Sequence, residues 1–342
     1  MGVNLTPIIV KEVTSLDALR GRSMAVDAFN VLHQFLALIR TREGRPLTDR
    51  EGRVTSHLVG LVFRTTRLIA EHRMRLVFVF DGRPPSLKRA EVERRRAVKR
   101  KAEEEYETAV EAGDYAKAFS KAVQTGRLDS TAIEDAKRLL DLLGVPWVQA
   151  PGEGEAQASH MARKGDVWAA SSRDYDTLLF GAPRLVRYLT IQGQEWLPSK
   201  GRARRLLPEL IDLEAFLGHH GITREQLIDL AILVGTDFNP GIKGIGPKTA
   251  LKLVREHGRL EEMPEKVASG LTEQYEEIRR LYLEPDVTDE YTIEEGPLRE
   301  EELAAFLCDE RAFSRQRVET VINRMRQASS QKSLTDWLRG GA

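Results

Sequence analysis

Four apolar runs in this chain each lead to acidic residues at or shortly after their ends. The runs cover residues 23–26, 76–80, 145–148 and 166–172, and the acids that follow are Asp27, Asp81, Glu153, Glu155, Asp174 and Asp176. Continuous apolar runs separated by helical patterns predict buried parallel strands. Ligands of open parallel sheets bind beyond the carboxyl ends of the strands, so we expect these acids to meet at one sheet edge.

Helical periodicity fills most of the remaining chain. Amphipathic helices are predicted from Phe29 to Ile39, over residues 54–71, and from Ile133 to Leu143 with Gly144 as the C-cap. Two short strands are predicted at residues 185–191 and 195–197, and from Leu210 onward the pattern is helical with glycine-rich turns. The predicted fold is α/β, with a mostly parallel central sheet flanked by helices.

Residues 87–123 differ from the rest because large apolar residues are scarce there. Lys88 to Lys101 contain eight basic and two acidic residues, which indicates solvated helices projecting from the body. Lys88 and Arg95 are two helical turns apart and share one face. If these two cations face a scissile phosphate, they would stabilise the added negative charge of the transition state. The alternative interpretation is an exposed helix that is charged for solubility.

The predicted acidic cluster has a seventh member, Asp237, in a turn after an apolar helix. Such a cluster repels itself unless cations bind it, and oxygen ligands suit Mg²⁺ or Mn²⁺. Two Mg²⁺ ions can clamp the attacking and leaving oxygens of a phosphoryl displacement. Each acid also has an ordinary explanation, such as a helix cap at Asp27 or a turn at Asp81.

The segment from Gly241 to Lys248 places glycines where the backbone must approach another group closely. Pro247 suits the first turn of a following helix, whose N–H groups can hold a phosphate without reading bases. This pattern predicts a helix–hairpin–helix element that contacts DNA. A tight turn between two helices is the alternative.

Composition limits the possible classes. The 342 residues include 52 basic and 52 acidic side chains, so nucleic-acid binding would have to come from local basic patches. The lone Cys308 excludes an internal disulfide and fits a reducing interior. No signal peptide or membrane-spanning run is apparent, so we expect an intracellular, cytoplasmic protein without membrane contact.

Several motifs together closely resemble the flap endonucleases, the structure-specific 5′ nucleases of DNA replication and repair. They are Met1-Gly2-Val3, Val26-Asp27-Ala28, Val79-Phe80-Asp81-Gly82, Pro151 to Gln157, Asp174-Tyr175-Asp176, Val234 to Asp237, and Gly241 to Lys248. The resemblance implies a nuclease core at residues 1–328, with a helical arch at about 83–130 and the helix–hairpin–helix region at about 225–260. A tail would occupy residues 329–342.

The resemblance also assigns roles to residues. It implies a two-Mg²⁺ site, with Mn²⁺ able to substitute, formed by Asp27, Asp81, Glu153, Glu155, Asp174, Asp176 and Asp237. It implies that Lys88 and Arg95 act on the scissile phosphate, and that a K⁺ ion binds at the glycine hairpin. The implied DNA contacts are Gly2, His33, Arg40, Arg64, Gly244, Gly246 and Lys248.

Two positions depart from the family pattern. His33 stands where the family often has a tyrosine that stacks on a base, so base positioning would be weaker. After a predicted polar linker from Ser329, the tail resembles the box that binds the sliding clamp (PCNA). Its residues are Gln331, Leu334, Trp337 and Leu338, and the last is usually aromatic in the family. The short end resembles archaeal members.

The sequence therefore predicts a monomeric 5′ flap endonuclease and 5′–3′ exonuclease that hydrolyses DNA at single-strand/double-strand junctions. Three alternatives remain open. The chain could be a junction-binding scaffold without catalysis, a single-strand ribonuclease with a similar acidic edge, or a relative that prefers nicks, gaps or bubbles.

Overall fold

The structure is a computed structural model that describes residues 2–41, 45–88, 100–101, 104–105, 108, 128, 130–190, 193–197 and 202–340. For residues 193–197, 202–205 and 330–340 the description is limited to the backbone. Most of the predicted arch, including Arg95, lies outside the described residues.

A seven-stranded sheet forms the centre of the described part, in the order β1-β9-β6-β5-β2-β3-β4. Its strands are β1 Glu12–Val13, β2 Ser23–Asp27, β3 Arg75–Phe80, β4 Trp147–Gln149, β5 Ala169–Ser171, β6 Arg184–Arg187 and β9 Glu209–Asp212. The five strands from β6 to β4 run parallel, while β9 and β1 pair antiparallel at one side. The four apolar runs are therefore parallel neighbours, as predicted.

The register brings the carboxyl ends of these strands to one edge. Asp27 on β2 lies opposite Val79 on β3, and Val79 lies opposite Val148 on β4. On the other side of β2, Val26 lies opposite Ser171, the last residue of β5. The acids that follow β3 and β5 consequently emerge beside Asp27.

Helices cover both faces of the sheet. They are α1 Ala28–Leu38, α2 Ser56–His72, α3 Ser130–Leu143, α4 Gly154–Lys164, α5 Asp176–Leu179, α6 Leu213–His220, α7 Arg224–Val234, α8 Pro247–His257, α9 Glu265–Ala268, α10 Tyr275–Leu283, α11 Glu300–Ala304, a π-helical turn Ala305–Glu310, and α12 Arg315–Gly340. Short 3₁₀ turns occur at Ser86–Lys88 and Leu260–Glu262. Among the described residues, no helix is both long and apolar enough to cross a membrane.

Strand alternation divides the core between the two faces. Leu76, Phe78 and Phe80 pack into the cluster formed with α1, α2, α3 and α12. Val77 and Val79 point the other way and pack against α4. A third cluster joins α5 to the helices between α6 and α10, so the chain after β9 has its own core beside the sheet.

The structure departs from the sequence predictions at three places. Residues 209–212 form β9 where helix was expected from Leu210, because this segment completes the sheet beside β6. The strand predicted at residues 185–191 is β6 Arg184–Arg187, and the strand predicted at 195–197 is β7 Gly193–Leu197, which pairs with β8 Arg202–Leu206. The helix α12 continues to Gly340 where a linker was expected from Ser329.

Candidate active site

Seven predicted acids emerge from five separate segments at the carboxyl edge of the sheet. Asp27 ends β2, Asp81 follows β3, and Glu153 and Glu155 flank the start of α4. Asp174 and Asp176 follow β5, and Asp237 lies in the turn after α7. Their charges interact with one another across the segments, which places them in one cluster.

Asp27 serves both the helix and the cluster. Its Oδ1 accepts a hydrogen bond of 2.9 Å from the Asn30 N–H and so caps α1. Burial, followed by the charges of Asp81 and Asp174, raises the pKa of Asp27 to about 8. The cap therefore explains where α1 begins, but it does not account for a carboxylate buried among other carboxylates.

Glu155 lies deeper in the same cluster. The Ser172 hydroxyl lies 2.6 Å from Glu155 Oε1 and 3.2 Å from Asp27 Oδ2, while the Thr177 hydroxyl lies 3.2 Å from Glu155 Oε1. Burial raises the pKa of Glu155 well above its usual value, and Asp174, Asp27 and Asp176 raise it further. Two hydroxyls thus hold a carboxylate whose largest charge interactions are with other acids.

The loop after β5 is tied to distant parts of the chain. Asn30 Nδ2 donates to Asp174 Oδ2 at 3.2 Å, and the Val3 N–H donates to Asp176 Oδ1 at 2.7 Å. Burial and the charge of Asp237 raise the pKa of Asp176 to about 7. A Cβ added to Gly2 would lie 2.4 Å from Asp176 Oδ1, so the N-terminal glycine packs directly on this carboxylate.

The other side of the cluster joins β3 to α4. The Gly154 N–H, at the start of α4, donates to Asp81 Oδ1 at 2.7 Å. Burial raises the pKa of Asp81 to about 6, Glu153 adds to the rise, and the Gly154 hydrogen bond and Lys88 oppose it. The positive end of α4 therefore faces the acids.

Lys88 inserts its ammonium group into this cluster. Its Nζ lies 2.5 Å from Glu153 Oε2 and 3.5 Å from Asp237 Oδ2. Burial alone would lower the pKa of Lys88, but Glu153, Asp237 and Asp81 outweigh burial, and the net shift is upward. The expectation of a solvated projecting helix is therefore wrong at Lys88, which ends a 3₁₀ turn and is largely buried.

The donor set fits a hard divalent cation. Every donor is a carboxylate oxygen, and burial with the neighbouring acids raises the pKa values of Asp27, Asp81 and Asp176, so Lys88 offsets the negative charge of the cluster only in part. Within the described part of the chain, no three acidic, histidine or cysteine side chains already surround one point where an ion could bind. Lys88, Asn30 and the N–H groups of Val3 and Gly154 contact several of the carboxylate oxygens.

Comparison with known proteins decides the family. Residues 1–102 match the XPG N-terminal domain, and residues 144–237 match the XPG I-region. Flap endonuclease 1 of Methanopyrus kandleri is 50% identical over 334 residues, which cover 95% of this chain and 94% of that protein. The chain belongs to the flap endonuclease 1 family.

Solved structures agree with this assignment. The flap endonuclease-1 from Methanococcus jannaschii is 40% identical with a TM-score of 0.77, covering 97% of this chain and all (100%) of that one. The catalytic core of Rad2 in complex with DNA substrate is 22% identical with a TM-score of 0.66, covering 94% and 96% of the two chains. The α/β fold and the family resemblance are both confirmed, and the second match concerns the fold alone.

The expected DNA contacts on the first two helices and in the segment between them lie in different environments. His33 is exposed on α1. The Arg40 Nε donates to the Ala37 carbonyl at 3.2 Å. Arg64 is partly exposed on α2, and burial followed by the charge of Arg67 lowers the pKa of its guanidinium.

The glycine hairpin connects α7 and α8, as the sequence predicts. Gly241 has φ +72°, and an added Cβ would lie 2.3 Å from the Val234 carbonyl oxygen, so only glycine closes this turn. Gly244 has φ +88° but faces open space. Gly246 is the N-cap of α8, and Lys248 is exposed in its first turn. The exposed hairpin therefore presents a helix N-terminus and a lysine.

The four residues of the expected clamp-binding box fall within α12 near its end at Gly340. Their side chains, those of Gln331, Leu334, Trp337 and Leu338, lie outside the described part of the structure.

The sequence analysis missed the residues that hold the acids in place. Asn30 and Ser172 each contact carboxylates on other segments, and Arg187 contacts the loop that carries Asp174. Asn30 follows Asp27 by three residues and Ser172 ends an apolar run, so their positions offered a weak signal. Nothing in the local pattern pointed to Arg187.

Proposed function

We propose that this chain is a divalent-metal-dependent 5′ flap endonuclease and 5′–3′ exonuclease that acts in Okazaki-fragment processing and repair. It hydrolyses DNA at single-strand/double-strand junctions and leaves a 5′ phosphate and a 3′ hydroxyl. The observation that carries the proposal is the convergence of seven acids at one sheet edge in a flap endonuclease 1 family member. Identity of 50% over 95% of the chain supports the substrate class.

Each part of the cluster has a proposed role. Asp27, Asp81, Glu153, Glu155, Asp174, Asp176 and Asp237 would hold two divalent cations, Mg²⁺ or Mn²⁺. When bound, such cations activate water and offset charge on the leaving 3′ oxygen. Lys88 donates to oxygens of the scissile phosphate, and its upward-shifted pKa keeps it charged at neutral pH. Arg95 is proposed to assist from the arch.

The duplex is proposed to bind along the hairpin and the first two helices. Gly244, Gly246 and Lys248 would contact phosphates of the duplex, aided by a K⁺ ion, because the start of α8 is exposed. His33, Arg40 and Arg64 would contact the strand near the junction. Gly2 would lie beside the bound strand, since it already packs on Asp176. Such contacts recognise shape and backbone with little base readout.

Three further proposals concern the protein in the cell. The tail would bind the sliding clamp through residues 331–338, with reduced affinity because Leu338 replaces an aromatic residue. The protein would act as a monomer. It would work in the cytoplasm of an archaeal cell, since relatives from the archaea Methanopyrus kandleri and Ignicoccus hospitalis are 50% and 46% identical.

The decisive test compares Asp174→Ala with Asp309→Ala on a 5′-labelled flap in Mg²⁺ and in EDTA. Asp309 is an exposed acid paired with Arg315, and it therefore serves as the matched control. We expect Asp174→Ala to abolish cleavage while flap affinity stays close to wild type, and Asp309→Ala to cleave normally. Wild-type binding without Mg²⁺-dependent cleavage would favour the scaffold.

The remaining alternatives are separated by substrate choice. Matched flap, nick, gap and bubble DNAs, together with single-stranded RNA, should be cut at different rates. Preferred cleavage of the flap is expected, and preferred cleavage of RNA would overturn the proposal.

A further inference from the structure

Arg187 is a buried cation that lies behind the acidic cluster. It ends β6 and is only 8% exposed. Its Nη1 lies 2.9 Å from Glu209 Oε2 on the neighbouring strand β9, and Lys11 contacts the other oxygen of the same carboxylate. A buried ion pair gains little net stability, because removing both charges from water opposes their attraction. Stability alone is therefore a weak reason for this pair.

Two further hydrogen bonds of Arg187 reach the loop that carries Asp174 and Asp176. Its Nε donates to the Arg173 carbonyl at 2.9 Å, and its Nη1 donates to the Tyr175 hydroxyl at 2.6 Å. The guanidinium also lies over the Tyr175 ring, with Cζ 4.1 Å from the ring centroid. One planar group thus holds the residues on both sides of Asp174.

The opposite side of the same loop is held by α1. Asn30 donates to the Asp174 carboxylate, and its own Oδ1 accepts from the Arg173 N–H at 3.4 Å. The Arg173 N–H is therefore held by Asn30, and the Arg173 carbonyl, which belongs to the next peptide group, is held by Arg187. Rotation of either peptide group would break one of these partly buried hydrogen bonds.

The backbone after Arg187 is strained in a way that supports this arrangement. Tyr188 has φ +60°, which is unfavourable for a non-glycine residue, and its ring is buried. Its hydroxyl accepts from Arg187 Nη2 at 3.3 Å. Such strain persists where the surroundings determine the conformation, and it is concentrated at functional sites.

We propose that Arg187, held by Glu209, is a positioning residue that sets the Asp174–Asp176 loop for binding divalent cations. This inference rests on the proposed function, because it assigns cations to those two acids. Arg187 does not touch the reacting groups. It acts through the Arg173 carbonyl and the Tyr175 hydroxyl, so its loss should change cation binding and rate more than DNA affinity.

The test uses Arg187→Lys and a matched ion pair elsewhere. A lysine can still pair with Glu209, but it lacks the planar fork that reaches both loop partners. The control is Arg311→Met. Arg311 forms an equally buried ion pair with Asp135 of α3, with N–O distances of 2.6 and 2.8 Å, away from the acidic cluster. Thermal unfolding shows whether each variant folds.

We expect Arg187→Lys to lower the single-turnover rate on a 5′ flap about 10- to 100-fold and to raise the half-saturating Mg²⁺ concentration. Flap affinity in EDTA should remain near wild type. Calorimetric titration with Mn²⁺ should show weaker binding by Arg187→Lys than by wild type or Arg311→Met. Arg311→Met should lose stability yet keep the wild-type rate and Mg²⁺ response.

Two outcomes would overturn the inference. One is a folded Arg187→Lys variant with wild-type rate and Mn²⁺ affinity. The other is an equal kinetic defect in Arg311→Met, since general destabilisation would then explain both. If wild-type protein fails to cleave the flap, the proposed function fails instead, and the Mn²⁺ titration still tests the role of Arg187.

Discussion

Replacing Asp27 by asparagine should stabilise the metal-free protein, although Asp27 belongs to the proposed catalytic cluster. Burial and neighbouring acids raise the pKa of Asp27 to about 8 from a usual value of 3.8. An asparagine side chain has nearly the same shape and cannot ionise. Its Oδ1 can still accept from the Asn30 N–H, so the cap of α1 is retained.

The sign of the pH dependence follows from the raised pKa. The folded protein binds the proton on Asp27 more tightly than the unfolded chain, so this contribution to stability is complete below about pH 4. It is lost as the pH rises toward about 8. At roughly 1.4 kcal/mol for each pKa unit, Asp27 alone would destabilise the fold by at most about 5 kcal/mol at pH 8.

We expect Asp27→Asn to raise the free energy of unfolding in EDTA by about 2 to 5 kcal/mol at pH 8 and by about 1 at pH 5. The expected stabilisation can fall below the upper limit for Asp27 alone because the neighbouring acids share the repulsion. Guanidinium unfolding of wild type, Asp27→Asn and the exposed control Asp309→Asn at pH 5, 6, 7 and 8 measures the difference. Mg²⁺ should stabilise wild type more than Asp27→Asn. A stability difference that stays constant from pH 5 to 8 would refute a buried, repelling carboxylate.

Two further predictions concern packing and the tail. Gly60→Ala should destabilise the protein by about 1 to 2 kcal/mol in chemical unfolding, because a Cβ there would lie 2.1 Å from the Phe35 ring. Gly218→Ala should stabilise the protein by about 0.5 to 1 kcal/mol, because an added Cβ there has no atom within 4 Å. Stability changes of the same sign in the two variants would contradict this reasoning. Truncation before Gln331 should leave isolated flap cleavage unchanged and abolish stimulation by the sliding clamp. Unchanged stimulation in the same cleavage assay would reject the proposed box.

Local patterns in the sequence determined much of the architecture. Apolar runs that end in acids predicted the parallel strands and the edge where Asp27, Asp81 and Asp174 meet. Glycine spacing predicted the hairpin at Gly241, where a positive φ and a close carbonyl leave no room for a side chain. These features are readable because strand alternation, helical periodicity and glycine geometry depend only on neighbouring residues.

The tertiary structure decided how the acids are held. Asn30 reaches Asp174 across 144 positions, and Lys88 reaches Glu153 across 65. The antiparallel strand β9, predicted as helix, brings Glu209 to Arg187 and so completes the support behind the loop. Side-chain partners this distant in sequence follow from how strands stack and helices pack, and no local period encodes them.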